Sequence, residues 1–279
     1  MYKVGFIDYF LDEWHANNYP AWIREASAGS MEAVYAYGEI DSPKGGLTTD
    51  AWCKKMGMHR CGTIEELIEK SDALVVLSPD NCERHEALCQ LPLCSGKRTY
   101  VDKTFAPDGE TARRMFALAE KRETPCWSAS ALRFAPEYAG IKKEDITAIS
   151  SWGGGGFENY LIHQLEPLMM LMQERAGRVL YLPGENWYTL AVEFVSGRTG
   201  MLSGFLKGSP FMMNISGRRG NLKLEVASDY FRAFIKEMTS FFNTGKVPVP
   251  PADTLAIMQA RGAAVKARER PGEWVWVES

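Results

Sequence analysis

Over its first 130 residues the chain alternates short β-branched or aliphatic runs with longer segments of helical period. That alternation is the pattern of a parallel sheet covered by helices, because each strand must return to the same sheet edge through a crossover. Strands are predicted at residues 3–7, 33–37, 73–77, 99–101 and 125–128. Helices are predicted at residues 50–58, 83–91 and 108–122, with another opened by the capping box from Thr63 to Glu66. The result is a Rossmann-type doubly wound sheet over residues 1–133. At 279 residues the chain is long enough for a second core.

From about Ile146 the pattern changes. Leu190, Val192 and Phe194 alternate with Ala191, Glu193 and Val195, a turn follows at Ser196-Gly197, and residues 199–205 resume the strand. Further strands are expected at residues 212–216, 222–226 and 274–277, and helices at 230–242 and 254–268. Residues 134–279 therefore read as an α+β domain with a mainly antiparallel open sheet, with a soft boundary set by Pro136 and Gly140. The run Gly153–Gly156 serves either close backbone approach to a ligand or a flexible strand end.

Charge excludes one class of partner. Lys plus Arg is 32 and Asp plus Glu is 35, a net charge of −3 with no basic footprint for nucleic acid. The first 130 residues hold 15 basic and 20 acidic residues, so this half, at −5, repels an anionic ligand. Cys53, Cys61, Cys82, Cys89, Cys94 and Cys126 lack paired metal or redox spacing and read as reduced thiols. No run of about 18 apolar residues would cross a membrane, and the start lacks a signal peptide, so a cytoplasmic location is expected.

In an open parallel sheet, ligands bind beyond the carboxyl ends of the strands. The residues there are Asp8 and Tyr9, Glu39 and Asp41, Ser78, Pro79 and Asp80, Asp102 and Lys103, and Ser128. Polar groups at strand exits are partly expected in any protein. Lys103, a lone cation beside Asp102 at a central strand end, carries the most weight.

Several stretches resemble the Gfo/Idh/MocA dehydrogenases, relatives of glucose-fructose oxidoreductase and inositol dehydrogenase. They are Ala73-Leu-Val-Val-Leu-Ser-Pro79, then His85, then Gly96-Lys-Arg-Thr-Tyr-Val-Asp-Lys103, Pro125-Cys-Trp-Ser128 and Arg133-Phe-Ala-Pro136. The resemblance covers residues from about 60 to 172 and is looser beyond. It places the family's strand-end lysine on Lys103 and its helical Asp-x-x-x-His-x-x-Asp signature on Asn159, His163 and Glu166. Residues three and four apart share a helix face, so these three would point the same way. The resemblance implies catalytic roles for Lys103, His163 and Asn159: His163 takes the hydroxyl proton, and Lys103 hydrogen-bonds the reacting oxygen. It implies NAD or NADP, NAD favoured by Glu39 or Asp41, held among Asp8, Tyr9, Ser78, Pro79, His85 and Asp102. His85 serves equally well as a helix-surface residue. Arg133 and Glu166 are the candidate substrate-binding residues.

The chain also departs from the family. After the first strand it reads Asp8-Tyr-Phe-Leu-Asp-Glu-Trp-His-Ala-Asn-Asn-Tyr-Pro20 where relatives carry Gly-x-Gly-x-x-Gly. Bulk at Tyr9 and Phe10 and charge at Asp8, Asp12 and Glu13 disfavour ordinary pyrophosphate binding. A helix starting near Pro20, capped by Asn17 or Asn18, leaves a long loop in which Trp14 and His15 form a lid or plug the cleft. Asp102 replaces the family's glutamate, Asn159 its first helical aspartate, and Thr104 its proline. A trans Lys103–Thr104 bond is expected, since a non-proline cis bond costs about 2.5–4 kcal/mol.

The resulting expectation is an NAD(P)-dependent oxidoreductase that transfers hydride between a sugar, cyclitol or related polyol and nicotinamide. The alternative is a family member with lost or altered cofactor binding that acts as a small-molecule binding or assembly protein. A metal-dependent hydrolase using Asp8, His15, His85 or His163 lacks close ligand spacing. The expected partners are a carbohydrate-like small molecule and a second copy of the chain paired through the C-terminal sheet, with neither nucleic acid nor membrane; Leu190, Val192 and Phe194 either supply that pairing surface or equally face the domain's own helices.

Overall fold

The computed structural model describes residues 1–43 and 45–278. The chain forms two compact units. The first holds Met1–Ala106, Thr111–Ala129 and Phe234–Pro251, and the second holds Pro107–Glu110, Ser130–Ala233 and the chain from Ala252 onward. This differs from a single cut after residue 133, because Phe234–Pro251 returns to the first unit. The reason is aromatic burial: Phe234 packs on Tyr19, Tyr100 and Trp127, and Phe241 packs on Trp127.

The first unit is built on six parallel strands, β1 (Tyr2–Asp8), β2 (Met31–Gly38), β3 (His59–Arg60), β4 (Ala73–Val76), β5 (Arg98–Val101) and β6 (Cys126–Trp127). Their order is β3-β2-β1-β4-β5-β6, the doubly wound arrangement. The crossovers carry α1 (Trp14–Ala26), α2 (Thr49–Met56), α3 (Ile64–Lys70), α4 (His85–Cys89) and α5 (Gly109–Lys121). Strand β4 is buried throughout, as expected for a strand covered on both faces. The Thr63 hydroxyl caps α3 by accepting the Glu66 N–H at 3.2 Å. Helix α1 starts at Trp14 and contains Pro20, which corrects the expected onset near Pro20. The long lid-like loop is therefore replaced by the short link 9–13, and Asn17 and Asn18 lie inside the helix.

The second unit holds a seven-stranded sheet of β7 (Ile146–Gly154), β8 (Ala176–Pro183), β9 (Trp187–Phe194), β10 (Thr199–Phe205), β11 (Met212–Gly217), β12 (Gly220–Glu225) and β13 (Trp274–Trp276). The order is β12-β11-β7-β10-β9-β8-β13, antiparallel throughout except for the parallel pair β10 and β7. Helices α6 (Phe157–Met172), α7 (Tyr230–Thr244) and α8 (Pro251–Arg268) complete the chain. Strand β8 is absent from the sequence reading, although Val179 and Tyr181 are buried at alternate positions.

Leu190, Val192 and Phe194 face the core, so of their two expected roles they cover the domain's own interior and do not form a pairing surface. A Cβ on neighbouring Gly200 would lie 2.7 Å from the Leu168 side chain, so α6 packs directly on this sheet face. The alternate positions are the exposed ones, with Trp152 at 48% and Met201 at 46%. No helix among the described residues is long and apolar enough to cross a membrane.

Candidate active site

In the first unit β4 lies between β1 and β5, with Ile7 opposite Val76 and Val76 opposite Val101. Residues just beyond those positions therefore gather at one end of the sheet. Lys103, only 7% exposed, donates from Nζ to the Pro79 carbonyl at 3.1 Å. Ser78, with φ of 89°, hydrogen-bonds the Asn81 carbonyl and turns the chain there. The Lys103–Thr104 bond is cis, correcting the expected trans bond. Residues 102–106 are all buried, so tertiary packing and not the local amide preference sets this isomer.

Asp102 is completely buried. His15 Nδ1 stands 2.6 Å from its Oδ2, the Tyr100 hydroxyl donates to its Oδ1 at 2.8 Å, and the Ser128 hydroxyl donates to its carbonyl at 3.2 Å. Burial by itself would raise the carboxyl, but the His15 charge and hydrogen bond, with Lys103 and Tyr100, hold it down to about 2. His15 stacks on Tyr19 at 5.0 Å and lies inside α1, so it is a buried partner of Asp102 and not part of a lid.

Glu13 is the N-cap of α1. Its carboxylate accepts the N–H of His15 at 2.7 Å and that of Ala16. Asp8, at the end of β1, is buried; its Oδ1 accepts the Phe10 N–H at 3.3 Å, while Oδ2 has no partner in the structure. Burial, and then the charge of Glu13, push the Asp8 carboxyl well above its ordinary range. A pyrophosphate at a helix N-terminus needs free backbone donors and positive potential. Here carboxylates meet those donors and surround them, so these residues do not fit a pyrophosphate in that position.

The other strand-end candidates have partners within this unit. Glu39 pairs with Arg84, whose guanidinium lies 5.1 Å from the Tyr9 ring centroid. Asp41 accepts the Thr49 N–H at 2.7 Å and so holds the first turn of α2. His85 is completely buried, with Nδ1 3.1 Å from the Phe105 carbonyl, and is not a helix-surface residue.

In the second unit, α6 carries Asn159, His163 and Glu166, and Ser130 joins the latter two. The Ser130 hydroxyl pairs with His163 Nδ1 at 2.7 Å, and its N–H donates to Glu166 Oε1 at 3.2 Å. Arg133 bridges Glu166 at 3.4 Å and Asp253 at 2.7 Å. The charges of Arg133 and Glu166 are thus met inside the chain. Asn159 lines a cavity of about 380 Å³ with Phe157, Tyr160, Trp187 and Tyr188. Within the glycine run, Gly155 and Gly153 answer to packing: a Cβ on Gly155, where φ is 99°, would meet the Tyr160 ring at 2.1 Å, and one on Gly153 would meet Phe211 at 2.7 Å.

Burial pushes the Glu166 carboxyl up to about 7, against the pull of Arg133. Burial also pushes Glu13 up to about 7, against the charge of His15 and two backbone N–H groups. Both values lie above the ordinary 4.5, so the folded chain holds protons that the unfolded chain releases. The stability they contribute is complete below about pH 4.5 and is lost as pH rises through about 7. The melting temperature should therefore fall between pH 5 and 8, and Glu166→Gln should flatten the fall. A wild-type melting temperature that rises across that interval in a fluorimetric scan would contradict this.

Ser130, Glu13, His15 and Tyr100 all act here without having been assigned in these roles from sequence. Only Ser130 had a local signal, as the N-cap of the short helix Ala131–Phe134.

No protein-family profile matches the chain, and no curated protein sequence does. Solved structures do match in fold. Scyllo-inositol dehydrogenase from Lactobacillus casei aligns at a TM-score of 0.79 and 15% identity, over 100% of this chain and 98% of that one. UDP-N-acetylglucosamine 3-dehydrogenase from Acidithiobacillus ferrooxidans aligns at 0.75 and 13%, over 97% of each chain. An oxidoreductase from Agrobacterium radiobacter, solved with NAD+, L-tartaric acid and magnesium, aligns at 0.77 and 13%, over 99% of this chain and 98% of that one. The parallel sheet followed by the mixed, mostly antiparallel sheet is therefore the fold shared with these solved structures.

Proposed function

We propose that this chain is an oxidoreductase acting on a sugar, cyclitol or related polyol in the cytoplasm, with NAD or NADP as its cofactor. The observation that carries the reading is likeness of fold, along the whole chain, to dehydrogenases of such compounds. Lys103 and His163 are the residues we assign to the reacting oxygen. An ammonium that donates to that oxygen favours the negative charge developing there. An imidazole is suited to take the hydroxyl proton near neutral pH. The buried seat of Lys103 against the Pro79 carbonyl and the Ser130 contact that orients His163 both support these roles. Asn159, beside an aromatic-walled cavity, is assigned to the substrate. Arg133 and Glu166 are assigned to holding Ser130, and through it His163, more than to binding substrate themselves. Self-association through the exposed sheet face around Trp152 and Met201 belongs to the same proposal.

A second reading, a small-molecule binding or assembly protein with altered cofactor binding, is favoured by one observation: Glu13 occupies the N–H groups at the start of α1. Calorimetric titration with NADH and NADPH, followed by an absorbance assay of NAD(P) reduction with a panel of inositols and aldoses, separates the two. The oxidoreductase reading expects saturable binding of at least one cofactor below millimolar concentration. Folded protein that binds neither at millimolar concentration would move the assignment to the second reading.

A further inference from the structure

The link between β1 and α1 sets up a competition. In nucleotide-binding parallel sheets the helix after the first strand offers its N-terminal N–H groups to a pyrophosphate. In this chain the same donors belong to Glu13, which has extended φ and ψ of −136° and 170° and curls its carboxylate back over the first turn. Serine, threonine, aspartate and asparagine are the usual residues in that position. Glutamate adds reach and a full charge.

We infer that Glu13 is a built-in occupant of the phosphate position, a carboxylate carried by the chain that sets how tightly this protein holds a phosphorylated cofactor. Two further features point the same way. Asp8 sits at the end of β1 with a buried, unpartnered carboxylate oxygen, and Asp102 lies at the end of β5. Any phosphate entering here meets a filled donor set crowded by carboxyl groups. Glu13 itself remains partly exposed to solvent, so it is open to displacement. The raised carboxyls of Glu13 and Asp8 fit such crowding. The inference rests on the proposed function only in taking a dinucleotide as the cofactor.

The test compares NADH binding by calorimetry for the intact wild-type chain, Glu13→Ser and Glu13→Gln. Serine keeps a capping hydroxyl and removes both charge and bulk, whereas glutamine keeps the bulk and removes only the charge. Glu13→Ser should tighten NADH binding by about tenfold or more, equivalent to about 1.4 kcal/mol, and Glu13→Gln should shift it in the same direction by less. Asp12→Asn is the control, because Asp12 is a neighbouring carboxylate that accepts the Leu47 N–H at 2.8 Å and the Asn17 side-chain amide at 3.1 Å, whereas the His15 and Ala16 backbone N–H groups go to Glu13. Its effect should stay below about threefold, well short of the tenfold step. Circular dichroism establishes that each variant is folded, and if Glu13→Ser is not, Glu13→Gln decides alone. Wild-type-like affinity in the folded Glu13 variants overturns the inference, whether the wild type binds or not. If the wild type binds nothing and the variants bind, the inference stands and the proposed function of the unaltered chain falls. If the wild type binds and the variants do not differ from it, the reverse holds.

Discussion

Asp102→Ala should lower the free energy of unfolding by about 3–5 kcal/mol, the range for removing one partner of a buried ion pair. Asp102 is completely buried and takes hydrogen bonds from His15 at 2.6 Å and Tyr100 at 2.8 Å. Alanine removes the carboxylate that both of those buried donors meet, although the Tyr100 hydroxyl also reaches the Ala129 carbonyl at 3.3 Å. Domains have about 5–15 kcal/mol in all, so the variant should be marginal at physiological temperature. Asp102→Asn keeps an acceptor oxygen and should lose less. The pH dependence follows from a carboxyl held at about 2 against its ordinary 3.8. A depressed value contributes stability that is complete above about pH 3.8 and is lost as pH falls towards 2. Acid unfolding of Asp102→Asn should accordingly lack that part of the transition. Guanidinium melts giving Asp102→Ala within about 1 kcal/mol of wild type would show that the pair adds nothing net, as some buried pairs do.

On the proposed function, Lys103→Met should lower kcat by about 10²–10³-fold, the loss typical of removing one donor to a developing oxyanion. Methionine matches the length of lysine and suits a buried position, so the melting temperature should move little beside the rate. His163→Gln should cost about 10²–10⁴-fold, the usual worth of a positioned acid or base. Because the two residues are assigned to one oxygen, the double variant should fall short of the product of the single losses. A Lys103→Met enzyme retaining more than about a third of wild-type kcat, well outside that range, would remove the lysine from the mechanism.

Much of the fold was legible because its signals are local. Uninterrupted aliphatic runs such as Ala73–Val76 mark doubly covered strands, and alternation at Leu190, Val192 and Phe194 marks a sheet with one covered face. Alternation cannot say which partner covers that face, and here α6 does. Strand β8 is harder to find because Gly177 and Arg178 interrupt its apolar pattern. The onset of α1 is hidden in the sequence because Pro20 reads as a helix start, whereas a glutamate cap seven residues earlier is an uncommon signal.

For the candidate site, strand exits pointed to Asp102 and Lys103, and the resemblance pointed to His163. The sequence by itself determined the order of elements, the two kinds of sheet and the strand ends where the candidate groups gather, since periodicity and turn chemistry act over a few residues. Only the tertiary structure decided that His15 pairs with Asp102 across 87 positions of sequence, that Ser130 pairs with His163 across 33, and that Glu13 closes on the start of its own helix. Such pairings depend on which groups the folded backbone buries together, where an unmet donor or charge costs most. No pattern of neighbouring residues encodes that.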